Sequence, residues 1–456
     1  MAIYRSTALS FAASNKERYL ADLIDVVKIP SISNSVENKL DMLTNANWIA
    51  AYLTKIGINN VQLLHTSGHP AVYGEYILDP KFQTMLIYGH YDVQPPDPLE
   101  LWQTPPFEAQ QKGDYLFGRG TSDMKGQMIA CFAAVEAAIN SGGLKVNLKF
   151  ILEGEEEIGS PNLAACIAQH KDLLASDFVL NPDTGMVGIE IPAITYGLRG
   201  LSYFEIKVTG PDHDLHSGLF GGIVHNPAQA LIEAIAAMHD QDGKVTLPGF
   251  YDDVRVLEEK ERAELARLPM TDNEFLIQTG VPALWGEKGF TSIERVGARP
   301  TLEVNGFYSG FIGEGQKTVL PSYAMAKISC RLVPNQNHEK VYQQLLAFLQ
   351  AKMPPTVRWE AKKLSGGAPL LINPNQPTTL AFADALEKVF GVKPVYKLEG
   401  GSVPVTTDLQ EILGVQSILT GFSCPDDNIH SPNEKFHVPT FYKGIDTIIH
   451  FLYNIE

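Results

Sequence analysis

The sequence has no cluster of basic residues and no apolar run long enough to cross a membrane. Its 456 residues include 36 Lys and Arg against 52 Asp and Glu, which gives a formal net charge of -16. An acidic chain without a Lys/Arg cluster is a poor partner for nucleic acid or for an anionic membrane surface. The missing apolar run excludes an ordinary transmembrane helix. We therefore expect neither nucleic acid nor a membrane among the partners.

Cysteine is scarce, and the four cysteines lie far apart at Cys131, Cys166, Cys330 and Cys424. Without a Cys-x-x-Cys pair, neither a disulfide framework nor a thiolate zinc site is expected. The first 20 residues contain a short apolar patch that is marginal for a signal peptide, and no convincing cleavage site follows it. These features favour a cytoplasmic protein.

The first part of the chain alternates short apolar runs with helical patterns. Hydrophobic residues make up 45% of the chain and charged residues 19%, an ordinary globular balance with room for two or three domains. Alternating strands and helices predict a mainly parallel sheet covered by helices, an α/β fold. The predicted strands are 84–89, 146–152 and 177–183, and the predicted helices are 125–143 and 160–174.

The pattern changes near residue 197 and returns near 367. Between these points, strands at 196–210 and 324–334 alternate polar and apolar residues, and helices are predicted at 226–240 and 338–353. This favours an α/β domain formed by 1–197 and 367–456 and interrupted by an inserted α+β domain at 198–366. Segment 241–300 is charged and rich in Pro and Gly, and its pattern predicts no element.

Polar side chains follow the predicted strands of the α/β domain. His90 and Asp92 come after the run 84–89, Asp123 precedes a helix, and Asp183 ends the run 177–183. Four glutamates, at positions 153 and 155–157, follow the run 146–152. Because open parallel sheets bind ligands beyond the carboxyl ends of their strands, we expect these groups at one rim.

One histidine and several carboxylates at one rim predict a metal site. Such ligands suit Zn²⁺, Mn²⁺ or Co²⁺, and bound cations stabilise carboxylates that would otherwise repel one another. His430, in the polar loop 425–436, supplies a second imidazole. Taken one at a time, these residues have ordinary explanations as helix caps or solvated charges. Their convergence favours metal binding.

Six motifs in order resemble the dinuclear metallopeptidase family of carnosine-type dipeptidases, aminoacylase-1 and succinyl-diaminopimelate desuccinylase. They are GHYDVQPP, GRGTSDMKG, EGEEEIGS, DLHSGLFGG, EGGSVPVT and IHSPNEKF. The resemblance runs from about residue 15 to the end. The long insertion and HSGLFGG look more like the dipeptidase branch than the smaller desuccinylases. The resemblance implies that the inserted domain serves as a lid and dimerisation domain, and hence a homodimer.

The resemblance also implies two divalent metal ions per chain, Zn²⁺ first, with Mn²⁺ or Co²⁺ as alternatives. His90 and Asp183 would bind one ion, Glu157 and His430 the other, and Asp123 would bridge both. The family further implies a cis peptide bond after this aspartate.

Catalytic roles follow from the same resemblance. Glu156 would be the general base that takes a proton from the attacking water, and Asp92 would orient the His90 imidazole. We expect Glu155 to face solvent. Glu153 is either a supporting group near the site or a surface charge.

Three further positions would contact the substrate. His216 would reach a neighbouring subunit's site and stabilise the oxyanion. Arg331 would grip the substrate carboxylate. Gly401 and Ser402 would begin a helix whose N–H groups bind the same carboxylate.

These features predict amide hydrolysis in short peptides by a metallo-dipeptidase. An N-acyl-amino-acid deacylase of the same fold is the alternative, because the metal ligands would be identical. A non-catalytic peptide-binding protein would be expected to lack a ligand or the base, and this sequence contains the full set.

Overall fold

A computed structural model describes residues 2–401 and 404–455. Its helices are α1 Ala2–Ser14, α2 Lys16–Val27, α3 Lys39–Lys55, α4 Lys125–Ser141, α5 Leu163–Gln169, α6 Ser217–Phe220, α7 Pro227–Ala236, α8 Glu259–Leu265, α9 Asp272–Thr279, α10 Ser292–Ala298, α11 His338–Lys352, α12 Pro377–Phe390, α13 Pro404–Leu413 and α14 Val438–Leu452. Short 3-10 turns occur at Leu99–Leu101 and Glu156–Ile158.

The strands are β1 Asn59–Leu64, β2 Ala71–Tyr76, β3 Gln83–His90, β4 Gln110–Lys112, β5 Tyr115–Phe117, β6 Val146–Glu153, β7 Phe178–Asn181, β8 Ala193–Leu198, β9 Gly200–Thr209, β10 Leu215–His216, β11 Thr301–Ser309, β12 Val319–Leu320, β13 Tyr323–Leu332, β14 Arg358–Gly367, β15 Leu370–Leu371, β16 Val395–Glu399, β17 Gln416–Thr420 and β18 Lys435–His437.

The chain divides into two compact units. Within the described residues, the first unit comprises 2–196, 372–397 and 404–455, and the second comprises 197–371 with 398–401. No helix among the described residues is both long and apolar enough to cross a lipid bilayer.

The first unit is built on a mixed sheet with a parallel centre. The order β1-β2-β6-β3-β7-β17-β8 places β6, β3, β7 and β17 side by side and parallel, with antiparallel pairs outside them. Every residue of β6 is buried, as expected for a strand covered on both faces. The predicted α/β fold class is therefore confirmed.

Helix α4 lies at the centre of the first unit's core. Its residues from Lys125 to Ala138 are buried, and it packs against α1, α2 and α14. Phe132 of α4 meets Phe150 of β6 edge to face, with ring centroids 5.8 Å apart. The packing of α4 on all sides holds its N-terminal end in place. The GRGTSDMKG motif lies at that end.

The second unit is an antiparallel sheet with helices packed on it. The strand order is β11-β13-β9-β14, and β9 alternates buried and half-buried residues along its length. The buried residues, including Phe204 and Ile206, pack with α7 and α11. Asn226 caps the N-terminus of α7, because its side chain accepts the Ala228 N–H. Segment 241–300 contains three short helices, α8, α9 and α10.

Candidate metal centre

The rim of the parallel sheet gathers the polar residues that follow its strands. β3 ends at His90, β6 ends at Glu153, and Asp183 follows β7 by two residues. Asp123 lies at the turn before α4, where the Asp123–Met124 peptide bond is cis. The strands are parallel and in register, with His90 opposite Glu153, so their ends meet at one edge.

One set of three candidate metal ligands consists of His90, Asp123 and Asp183. The His90 Nε2 atom lies 3.0 Å from Asp123 Oδ1 and 3.6 Å from Asp183 Oδ1. The His90 side chain is fully buried, and those of Asp123 and Asp183 are 15% and 11% exposed. These three side chains therefore converge in a space that is nearly closed to solvent.

A second set consists of Asp123, Glu157 and His430. The His430 Nε2 atom lies 3.1 Å from Asp123 Oδ2 and 3.1 Å from Glu157 Oε2. The side chain of His430 is 52% exposed, so this second set is the more open of the two.

The two sets share Asp123 through different oxygens, Oδ1 toward His90 and Oδ2 toward His430. Ligand atoms that bind one tetrahedral Zn²⁺ at about 2.1 Å lie about 3.4 Å apart, close to the separations observed in both sets. The donor set of imidazole and carboxylate also suits such an ion. The residues thus fit two divalent cations bridged by one carboxylate.

The carboxylates of the site raise the pKa values of its two imidazoles. Burial lowers the pKa of His90, but the carboxylates of Asp183 and Asp123 outweigh burial and raise that pKa well above its usual range. Hydrogen bonds to Asp123 and Glu157 raise the pKa of His430 to about 10. Burial raises the pKa of Asp183 to about 6. The site therefore favours positive charge beside its carboxylates, as a divalent-cation site would.

Glu156 is in neither ligand set but lies close enough to Asp183, Glu157 and Asp123 that their charges act on it. It begins the 3-10 turn Glu156–Ile158, one residue before the ligand candidate Glu157. Burial, followed by the charges of Asp183 and Glu157, raises the pKa of Glu156 to about 9. Nearby divalent cations would favour the ionised form of this carboxyl group, which a general base requires, and the base role of Glu156 stays a prediction.

Asp92 binds the backbone of that same turn. Its Oδ1 accepts the Glu156 N–H at 3.2 Å and its Oδ2 accepts the Glu157 N–H at 3.0 Å. Toward His90, the nearer contact is backbone: the His90 Nδ1 atom lies 3.1 Å from the Asp92 carbonyl oxygen and 3.5 Å from Asp92 Oδ1. Asp92 thus links the end of β3 to the segment that carries Glu156 and Glu157.

Glu155 does not face solvent, and our prediction for it was wrong. It is 5% exposed, and its carboxylate accepts the His69 N–H at 3.0 Å and the Asn162 amide at 2.9 Å. Gly154 is needed just before it, because a Cβ there would lie 2.5 Å from the Tyr91 ring. The chain therefore turns inward at this point, which a run of charged residues alone does not predict.

Glu153 is buried beneath the rim. Its Oε1 accepts hydrogen bonds from the Tyr88 hydroxyl at 2.8 Å and the Ser160 hydroxyl at 2.9 Å. Its Oε2 is buried and has no hydrogen-bond partner in the described part of the chain. Burial, with the nearby Asp92 charge, raises the pKa of Glu153 to about 8. Of our two alternatives for Glu153, the surface charge is therefore excluded.

Sequence reasoning missed Gln94. Its amide donates to the Glu157 carboxylate at 2.9 Å and to the Glu157 carbonyl oxygen at 3.1 Å. A side chain that binds both ends of a ligand residue restricts its rotamer. Gln94 lies in the motif GHYDVQPP, four residues after His90, so the sequence already placed it next to a predicted ligand.

The substrate-binding predictions fall on the second unit. His216 is exposed, and its Nδ1 accepts the Gly218 N–H at 3.0 Å, which leaves Nε2–H as the donor of the neutral ring. Arg331 lies half-buried on β13 and pairs with Leu201 of β9. Gly401 is exposed, and its carbonyl accepts the Arg199 N–H at 3.2 Å. Ser402 lies outside the described residues.

Comparisons with known proteins match most of the chain. The family model described as Peptidase family M20/M25/M40 matches residues 86–454. The Cys-Gly metallodipeptidase DUG1 of Candida albicans is 31% identical, over 96% of this chain and 94% of that protein. The human Beta-Ala-His dipeptidase is 33% identical, over 82% of this chain and 75% of that protein. The crystal structure of the metallo-carboxypeptidase Sso-CP2 from Sulfolobus solfataricus has a TM-score of 0.83 at 34% identity and covers 96% of this chain and 98% of its own.

Proposed function

Because the chain belongs to peptidase family M20/M25/M40, we propose that it is a metal-dependent dipeptidase that hydrolyses the amide bond of short peptides. The observation that carries this proposal is the pair of ligand sets that share the two oxygens of Asp123. Glu156 stands beside both sets without belonging to either. This arrangement suits a hydrolysis in which metal binding and proton transfer are assigned to different carboxylates.

His90, Asp123 and Asp183 would hold one cation, and Asp123, Glu157 and His430 the other. Bound divalent cations would acidify a water molecule and polarise the scissile carbonyl group. Glu156 accepts the proton of the attacking water and returns it to the nitrogen of the leaving amine. Asp92 and Gln94 hold Glu156 and Glu157 in place for these separate tasks.

Substrate binding is proposed for residues of the second unit. His216 would donate from Nε2 to the oxyanion that forms on the scissile carbonyl. Arg331 would bind the free carboxylate of the peptide, together with backbone N–H groups near Gly401 and Ser402. The Nδ1 contact of His216 supports its role, since it presents the donor nitrogen outward.

We also propose which metal is bound, which oligomer forms and in which compartment the protein works. Zn²⁺ is the cation we propose, with Mn²⁺ or Co²⁺ as alternatives, because two imidazoles accompany the carboxylates. The homodimer is supported by edge strand β11, where Val304, Phe307 and Tyr308 are between 42% and 46% exposed. Four free, buried cysteines support a reducing cytoplasm.

The dipeptidase proposal is better supported than the deacylase alternative. Relatives that match over most of both chains carry dipeptidase names. A second candidate is a carboxypeptidase that removes the last residue of longer peptides, favoured by the likeness to Sso-CP2. Both activities would use the same ligands and base, so the length of the substrate separates them.

A substrate panel tests the function. The purified chain, loaded with Zn²⁺ or with Mn²⁺, is assayed against dipeptides, tripeptides, longer peptides and N-acyl amino acids, with product amines measured by chromatography. We expect hydrolysis of dipeptides that a chelator abolishes and added metal restores. Preference for longer peptides would favour the carboxypeptidase, and preference for N-acyl amino acids the deacylase. Absence of metal-dependent amide hydrolysis in every class would contradict the proposal.

The dimer has its own test. Light scattering should give about twice the mass of the 456-residue chain. A stable, fully active monomer would contradict the proposed action of His216 across subunits.

A further inference from the structure

The loop that carries His430 is attached to the protein on both sides of the histidine. His430 itself is exposed and has a positive φ of 61°. Asp427, three residues before it, and Glu434, four residues after it, are both completely buried. Because the His430 ring is largely exposed, few packing contacts fix its position. Its position therefore depends on the hydrogen bonds of the buried residues on either side of it.

Glu434 uses all of its acceptor capacity on the segment that leads to Asp123. Its Oε1 accepts the N–H groups of Ser122 at 2.9 Å and Asp123 at 3.1 Å. Its Oε2 accepts the Gly120 N–H at 2.9 Å and the Arg119 guanidinium at 2.8 Å. Four donors thus converge on one carboxylate, two on each oxygen.

Asp427 makes a second connection to the same segment. Its Oδ2 accepts the Ser122 hydroxyl at 2.6 Å and the Cys424 N–H at 2.7 Å. Its own carbonyl oxygen accepts the Lys435 N–H at 2.9 Å, which closes the loop around His430. The two ends of the loop are therefore joined to each other and to Ser122.

We propose that Asp427 and Glu434, together called the carboxylate clamp, are positioning residues that set the separation between Asp123 and His430. Through this separation they assemble the ligand set Asp123, Glu157 and His430. Neither residue touches the ligand atoms, so the clamp acts through the backbone of Asp123 and the loop of His430. The inference rests on the proposed function, since it assumes that this set binds a cation.

The requirement for a carboxylate at position 434 gives a sharp test. A glutamine has one acceptor oxygen, so its NH₂ group would face two of the four donors. We expect Glu434→Gln to weaken Co²⁺ binding at the second set by at least about tenfold, so that a titration followed by visible absorption shows about one tight ion per chain. The set containing His90 and Asp183 shares Asp123 but not His430, so it should lose less affinity than the second set.

A matched control separates positioning from general stability. Glu287 is also a buried carboxylate paired through both oxygens with an arginine, Arg299, at 2.7 Å and 2.8 Å. Glu287→Gln should lower the melting temperature of the apo protein as Glu434→Gln does, but leave both Co²⁺ affinities unchanged. If Glu434→Gln lowers only the melting temperature and binds two ions as the wild type does, the inference is wrong.

A milder variant covers the case in which Glu434→Gln does not fold. Ser122→Ala removes the hydroxyl that Asp427 accepts and keeps the backbone N–H that Glu434 accepts. It should weaken Co²⁺ binding at the second set about fivefold. Unchanged binding in folded Ser122→Ala would contradict the role of Asp427 in the clamp. If the wild type itself binds no second ion, the proposed function fails, and this outcome is distinct from a failure of the clamp alone.

Discussion

Four glutamates between positions 153 and 157 share one short stretch and occupy four different environments. Glu153 is buried under hydroxyl groups, and Glu155 accepts amide N–H groups. Glu156 is half-buried and belongs to neither candidate ligand set, and Glu157 belongs to one of them. Because the surroundings of each carboxylate come from distant segments, the acidic run alone could not distinguish these environments. The family resemblance separated Glu156 from Glu157, but it did not reveal that Glu155 is buried.

Glu156 and Glu157 should respond differently to the same substitution. We expect Glu156→Gln to lower kcat by about 10²- to 10⁴-fold while two ions remain bound, because a glutamine cannot accept the proton of water. Glu157→Gln should lose one ion, because it removes a charged ligand. Elemental analysis alongside kcat distinguishes the two outcomes. Loss of metal from Glu156→Gln would mean that the two roles are reversed.

Glu153 should make stability depend on pH. Its pKa is raised to about 8 in the folded protein, above that of an exposed carboxyl group near 4.3, so the folded state holds the proton more tightly. Stability from this group therefore falls as the pH rises from about 4.3 to about 8. Glu153→Gln mimics the protonated form and should remove this fall. The melting-temperature difference, variant minus wild type, should increase between pH 5 and pH 8, and a constant difference would contradict the prediction.

Among the elements, those with long apolar patterns were predicted well. Helix α4 ends two residues before its predicted end, and β6 extends one residue past its prediction. Helix α5 begins at Leu163 rather than at 160, because Ser160 has a positive φ of 50° and donates its hydroxyl to Glu153, and it ends at Gln169, five residues before the predicted end. Segment 241–300 gave no pattern because its helices are only seven or eight residues long and bury few side chains.

The turn Glu156–Ile158 is an element held in part by the Asp92 carboxylate, which accepts two of its N–H groups. In Asp92→Asn, the side chain keeps only one acceptor oxygen, and its NH₂ group would face the N–H of either Glu156 or Glu157. We expect Asp92→Asn to lower both kcat and metal affinity by about 10- to 100-fold. Steady-state kinetics and a metal titration measure the two effects.

Asp177→Asn is the matched control for this turn. Asp177 accepts the Thr84 N–H at the opposite end of β3, so the same substitution removes a similar backbone contact away from the rim. It should leave metal affinity unchanged. Equal losses in both variants would show that Asp92 supports β3 in general rather than the turn.

For the whole molecule, the predicted family, fold class and hydrolase class are confirmed by the comparisons and the structure. Strand ends were visible in the sequence because apolar runs stop at a polar residue. The hydrogen bonds that link these segments were not visible in the sequence, since partners such as Glu434 and Ser122 lie 312 residues apart along the chain. Local patterns therefore locate the candidate ligands, and long-range hydrogen bonds, which leave no local pattern, determine their arrangement.

Metal binding and protonation should be coupled across the whole molecule. At pH 7 the apo protein holds protons on His90 and His430, whose pKa values are raised by the surrounding carboxylates. Imidazoles must be neutral to bind a cation, and cations would also lower the pKa of Glu156, which is about 9 without them. Binding two Zn²⁺ ions should therefore release at least two protons per chain. Calorimetric titrations in buffers of different ionisation enthalpy measure this number. Heats that do not depend on the buffer would contradict it.

The same coupling predicts how chelation changes stability with pH. An imidazole with a raised pKa stabilises the apo fold below about 6.5, and this contribution is lost as the pH rises toward the folded pKa of about 10 for His430. The melting temperature of the chelated protein should therefore fall over this range, because the carboxylates lose their positive partners. The loaded protein should not show this fall, since its cations keep their charge. His430→Gln, which lacks one of the two imidazoles, should show a smaller fall after chelation. If the melting temperatures of the loaded and the chelated wild type change with pH in the same way, protonated imidazoles do not balance the negative charge of the carboxylates in the apo site.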